Sequence, residues 1–154
     1  MKKILIVNGP NLNLLGQRED NIYGSDTLKQ IELACIEKCE EMKLELDFYQ
    51  SNNEGKIIDK MHGVHNKYDG IIINPAAFTH TSIAILDCLR SITKPKIEIH
   101  LSNIYSREDY RKKSITSEGV NGLICGFGGN SYILGIEAIS KLCLLYTSPS
   151  PRDR

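Results

Sequence analysis

Apolar residues along this chain recur with two alternating rhythms. The run Ile4, Leu5, Ile6, Val7 is short and continuous, as expected of a strand covered on both faces. Leu28, Ile31, Cys35, Cys39 and Met42 then recur at helical spacing, and Thr27 with Gln30 predicts a capping box at the start. Leu44, Leu46 and Phe48 alternate as a second strand. Ser51, Asn52 and Asn53 turn the chain into a helix whose apolar side is expected at Ile57, Ile58, Met61 and Val64 or His65. Ile71, Ile72 and Ile73 form a third strand, followed by a helix carrying Ile85, Leu86 and Leu89. Ile97, Ile99 and Leu101 mark a fourth strand, interleaved with Glu98 and His100. Residues 122–126 supply the fifth, and a last helix carries Ile133, Leu134, Ile136, Ile139 and Leu142. Strands separated by helices predict one right-handed, mostly parallel three-layer α/β domain over residues 1–145. Residues 146–154 change character: Pro149 and Pro151 cannot extend a helix, and Ser and Arg cannot fill a core. They are expected to be a flexible, non-native tail.

Composition narrows the function classes. A chain of 154 residues suits one domain that buries roughly two-thirds of its unfolded surface. Lys+Arg and Asp+Glu both total 19, so no net field recruits nucleic acid or an anionic membrane. A local positive pocket for a small anion remains open. Met1, Lys2 and Lys3 lead straight into a strand, without the long apolar region of a signal peptide, and no apolar run reaches spanning length. The five cysteines are scattered, which predicts reduced thiols and a cytoplasmic location rather than a disulfide framework. Cys35 and Cys39 fit core packing. His62 and His65 share a helical spacing but lack an apparent third ligand, so no metal is expected. A phosphate-binding glycine loop and a nucleophile elbow are missing from the sequence, and residues 126–130 lack the full dinucleotide fingerprint.

Parallel strands deliver their C-terminal ends to one edge of the sheet, where open α/β folds place their sites. Four exits carry polar groups: residues 11–23 after the first strand, Asn52 after the second, residues 74–80 after the third, and residues 100–102 at the fourth. In the first loop an arginine, Arg18, lies near a tyrosine, Tyr23, a physical way to favour phenolate over phenol. Tyr23 is equally compatible with anchoring its loop, and Arg18 and Arg111 with solvated surface charge. Glu98 and His100 are two apart on a strand and share a face. Paired, the carboxylate would fix the imidazole tautomer and favour the protonated ring that a general acid needs; unpaired, they would be a polar edge-strand face. His80 could cap or pack locally, while the hydroxyls of Thr81 and Ser82 at a helix start would suit an anion or a polyol oxygen. A flavin- or phosphate-binding module is the rival reading, weakened by Leu and Arg where a Ser/Thr-rich cradle would be expected.

Several separated motifs together resemble the type II 3-dehydroquinate dehydratase family. They are Asn8-Gly9-Pro10-Asn11-Leu12-Asn13-Leu14-Leu15-Gly16 with Arg18, Glu19, Tyr23 and Gly24; residues 50–55; residues 74–82; and residues 98–104 followed by Arg107, Glu108 and Arg111. The resemblance spans about residues 3–145. It implies a flavodoxin-like three-layer sandwich whose five-stranded parallel sheet has the order 2-1-3-4-5. It also implies a dodecamer built from trimers, and a cofactor-free anti elimination of water from 3-dehydroquinate, through an enolate, in the shikimate pathway of aromatic amino-acid biosynthesis. By the same resemblance Tyr23 is the base, Arg18 keeps it ionised, Asn11 helps stabilise the enolate, and His100 is the general acid oriented by Glu98. Asn74, His80, Leu101, Ser102 and Arg111 correspond to substrate-binding positions, and Asp87 to a residue that reaches a neighbouring subunit's site. No lysine stands in a strand-end motif to support a Schiff-base route. Asp20-Asn21 and Ala76-Ala77-Phe78 depart from the usual family residues without removing a matched catalytic position.

Overall fold

The computed structural model describes residues 1–17 and 26–147. Strands β1 (Lys2–Asn8), β2 (Leu44–Gln50), β3 (Gly70–Asn74), β4 (Lys96–His100) and β5 (Gly122–Cys125) alternate with helices α1 (Leu28–Glu41), α2 (Glu54–His62), α3 (Val64–Lys67), α4 (Ile83–Ser91) and α5 (Asn130–Thr147). The strands form one sheet in the order β2-β1-β3-β4-β5, with every neighbouring pair parallel. This is the flavodoxin-like arrangement. Expectations for Arg18, Tyr23 and residues 148–154 fall outside the described residues.

Strand periodicity divides the core in two. Ile4, Ile6, Ile72, Ile97 and Ile99 point to one face, where Ile31, Cys35 and Cys39 of α1 meet Tyr132, Ile136 and Ile139 of α5. Leu5, Val7, Ile71 and Ile73 point to the other, against Ile57 and Met61 of α2 and Ile85 and Leu89 of α4. Burying each such large aliphatic side chain contributes about 1.5–3 kcal/mol, which explains the unbroken apolar runs at residues 4–7 of β1 and 71–73 of β3.

Helix starts follow their caps. Thr27 accepts from Gln30 N while the Gln30 side chain accepts from Thr27 N, completing the predicted capping box. Asn53 and Ser82 likewise accept from Lys56 N and Ile85 N. Two expectations need correcting. The helix after β2 stops at His62, and Gly63 separates it from the single turn of α3, so Val64 opens a new helix. β4 ends at His100, leaving Leu101 in the turn beyond it.

Register brings the strand exits level. Asn8 pairs with Gln50 of β2 on one side and Asn74 of β3 on the other, and His100 pairs with Cys125. All the polar exits therefore open on the same edge.

Candidate active site

The loop after β1 is tied down from both neighbouring strands. Gly9 N donates to Asn74 O at 2.8 Å. A Cβ on Gly9 would lie 2.5 Å from Pro75 O, so only glycine permits this approach. Asn11 adopts a left-handed conformation (φ 68°), which asparagine tolerates better than most residues. Its N–H donates to Asn52 Oδ1 at 2.9 Å, and the Gln50 amide nitrogen reaches both Asn52 Oδ1 and Gly9 O at 3.1 Å. Asn52 thus serves the site by holding Asn11.

At the exit of β3, Asn74 is buried and both ends of its amide are used. Oδ1 accepts from Ala76 N at 3.1 Å, and Nδ2 donates to the Tyr132 hydroxyl at 2.9 Å. Tyr132 OH in turn donates to Asn8 Oδ1 at 2.6 Å. One phenol from α5 therefore joins the ends of β1 and β3. Burial pushes the Tyr132 phenol well above the ordinary tyrosine range, so it stays protonated for this task. Further along, His80 Nδ1 lies 2.7 Å from Lys113 O. A carbonyl only accepts, so Nδ1 carries the proton and Nε2 is the ring nitrogen left for a ligand.

On β4, Ile97 and Ile99 face the α1/α5 core, so Glu98 and His100 share the opposite side. His100 Nε2 lies 2.6 Å from Glu98 Oε2, with both side chains buried. The turn after β4 rests on residues 126–128: Gly128 N donates to Leu101 O at 2.9 Å, and Gly126 takes φ 101° against Asn103. The glycines of this last loop are thus structural support for the site. Arg111, at the end of the Asp109–Arg111 turn, pairs through Nε with Glu108 at 2.8 Å.

These elements enclose a cleft of about 150 Å³ lined by Asn11, Leu12, Leu14, Leu15, Asn74, Ala76, His80, His100, Leu101, Ser102, Arg107 and Arg111, among others. A cavity of about that size takes one six-membered ring. Among the described residues that line it none is acidic and two are arginines, so this lining favours an anion although the chain as a whole carries no net charge. Asn11, Asn74, His80, His100, Leu101, Ser102 and Arg111, separated by up to a hundred residues, converge here, with Glu98 behind His100. Asp87 does not join them: it is exposed on α4. Ser82 is not available to an anion, because it caps α4 and donates to Glu54 Oε2. Arg107 went unassigned in the sequence reading, although its four-residue spacing from Arg111 was a usable signal. Among the described residues there is no group of His, Cys, Asp and Glu able to hold a metal ion.

Three comparisons with known proteins bear on this cleft. A family model described as dehydroquinase class II matches residues 2–140. A 3-dehydroquinate dehydratase from Clostridium botulinum strain Hall is 56% identical over 139 residues, covering 90% of this chain and 95% of that protein. A relative of the same name from Rhizobium meliloti is 51% identical over 139 residues, covering 90% and 94%. The crystal structure of type II dehydroquinase from Butyrivibrio crossotus superposes with a TM-score of 0.88 at 46% identity, covering 90% of this chain and 97% of that one.

Proposed function

This chain belongs to the class II dehydroquinase family, and from that premise we propose how its cleft performs the family's reaction. The chain is a lyase that removes water from 3-dehydroquinate to give 3-dehydroshikimate, by anti elimination through an enolate and without a cofactor. The reading is carried by one observation: an imidazole backed by a buried carboxylate faces a ring-sized, cationic cleft built from the exits of β1, β3 and β4.

The substrate carboxylate meets the backbone amides at Leu101 and Ser102. Arg111, Asn74 and His80 hold the ring hydroxyls, His80 through Nε2. Tyr23 removes the proton beside the ketone. Arg18 holds that phenol ionised, because a tyrosine near its ordinary pKa of about 10 is a poor base at neutral pH. Asn11 stabilises the enolate oxygen through an ordered water; a fixed donor there assists the transition state more than the ketone. His100, oriented by Glu98, protonates the departing hydroxyl. Asp87 reaches a neighbouring subunit's cleft in a dodecamer built from trimers, and its exposure on α4 suits that role. We place the enzyme in the cytoplasm, supported by five cysteines of which none is in a disulfide. No helix among the described residues is long and apolar enough to cross a membrane.

The test is formation of the conjugated enone, followed by ultraviolet absorbance, with no metal or nucleotide added. Product is expected, and none from folded protein with ample substrate overturns the reading. Tyr23→Phe should fold normally and lose most turnover; a nearly normal rate removes Tyr23 from the base role. His100→Ala should lower kcat by roughly 10²–10⁴-fold, the usual worth of a general acid.

A further inference from the structure

Glu98 is wholly buried, yet no Lys or Arg pairs with it among the described residues. Its partners besides His100 are three hydroxyls. Thr79 Oγ1 donates to Oε2 at 2.7 Å, Thr116 Oγ1 donates to Oε1 at 2.6 Å, and Ser114 Oγ lies 3.1 Å from Oε2. The hydroxyls also contact one another: Thr79 Oγ1 is 2.6 Å from Ser114 Oγ and 2.8 Å from Thr116 Oγ1. Ser114 Oγ accepts from Ser117 N at 3.1 Å, which directs its own proton back toward Thr79 or Glu98. An ionised carboxylate is acceptor-only, and every neighbour here has a proton to donate. This arrangement fits the charged form of Glu98.

We infer that Thr79, Ser114 and Thr116 are positioning residues that hold Glu98 charged and fixed, and thereby set the charge and orientation of the His100 imidazole. None of the three lines the cleft, so each acts through Glu98. The same segment also braces the opposite wall. Ile115 N donates to Thr79 O at 2.6 Å, and Lys113 O accepts from His80. Residues 113–117 therefore couple the exits of β3 and β4. As regards turnover, the inference rests on the dehydratase reading; as regards the state of His100, it stands apart from it.

Removing a hydroxyl weakens the support for the carboxylate relative to its protonated form. His100 Nε2 is hydrogen-bonded to Glu98 Oε2, so a proton held between them should leave at higher pH in the variants than in the parent protein. Among the described residues, His80, Arg107 and Arg111 are the other titratable or charged groups lining the cleft with His100, and the variants leave these three, and the proposed Arg18 and Tyr23, in place.

The experiment compares Thr79→Val and Thr116→Val, which keep shape and lose the hydroxyl, with Thr79→Ser and Thr116→Ser, which do the reverse. The Val variants should lose roughly ten-fold or more in kcat, a part of the general-acid contribution, with KM nearly unchanged. The limb of the kcat–pH profile that belongs to the pair should move upward, and the Ser variants should recover most of the rate. Nitrogen-15 titration of the His100 ring in substrate-free protein reads the same upward shift without turnover. Folded Val variants with wild-type kcat, pH profile and ring titration would overturn the inference. So would Ser variants as impaired as the Val ones. Wild-type protein inactive on 3-dehydroquinate would instead refute the dehydratase reading, and the ring titration would still decide whether the hydroxyls govern His100.

Discussion

The Tyr132 hydroxyl lies between two asparagines that end different strands, and it uses both its proton and a lone pair there. Both asparagines are buried, with Asn8 at 0% and Asn74 at 2% exposure. Tyr132→Phe keeps the ring but leaves an acceptor on Asn8 and a donor on Asn74 without a partner. Each unsatisfied buried group costs about 1–3 kcal/mol. We expect a stability loss of at least about 1 kcal/mol in urea denaturation, with KM raised because Asn74 is no longer held. A variant as stable as wild type would show that the two amides find other partners. Little of this network could be read from the sequence. Tyr132 follows Asn8 by 124 residues, and a tyrosine in an apolar helix looks like any core aromatic. The Glu98–His100 pair was legible because strand alternation alone puts them together. The hydroxyls around Glu98 were not, since Thr and Ser at turns are ordinary.

At the scale of elements, local rules carried most of the prediction. Continuous apolar runs became central strands and the capping box began α1 as expected, because both signals depend on neighbours in sequence. The break at Gly63 was hidden: Ile57, Met61 and Val64 keep helical spacing across it, and periodicity cannot register a pause in the backbone. On α1 the spacing of Cys35 and Cys39 has an energetic consequence. Burial, chiefly, pushes Cys35 to about 12 and Cys39 to about 11, above the ordinary thiol value of 9.0. The folded state thus holds these protons more tightly than the unfolded chain. Stability from this source is complete below pH 9.0 and declines as pH rises through 11 toward 12. The slope is up to about 1.4 kcal/mol per pH unit for each thiol. Cys35→Ala with Cys39→Ala should be less stable at neutral pH, through lost packing, yet show a shallower alkaline decline. Urea midpoints measured from pH 8 to about 11 would check this, and parallel curves for the two proteins would refute it.

The whole molecule presents a surface that a solitary chain explains poorly. Ile83 is 62% exposed and lies one helical turn from Asp87 on the outward side of α4, while its neighbours Ile85, Leu86 and Leu89 are buried. Leu33, Tyr105 and Phe127 are also more than half exposed. An apolar side chain beside an exposed carboxylate is the composition expected where one subunit buries against another and presents a charged group to it. No sequence rhythm could reveal this, since amphipathic spacing distinguishes inside from outside but not solvent from a partner. If α4 lies in the dodecamer proposed for this chain, Ile83→Asp places a charge in that contact and should not disturb the fold of the single chain. Native mass spectrometry should then find the wild type as twelve chains and the variant as smaller species. Turnover should fall along with assembly, because Asp87 no longer reaches a neighbouring cleft. Asp87→Ala separates the two effects: it should assemble and yet lose activity. A wild-type protein that runs as a single chain at full turnover would remove Asp87 from the reaction and leave each cleft complete by itself.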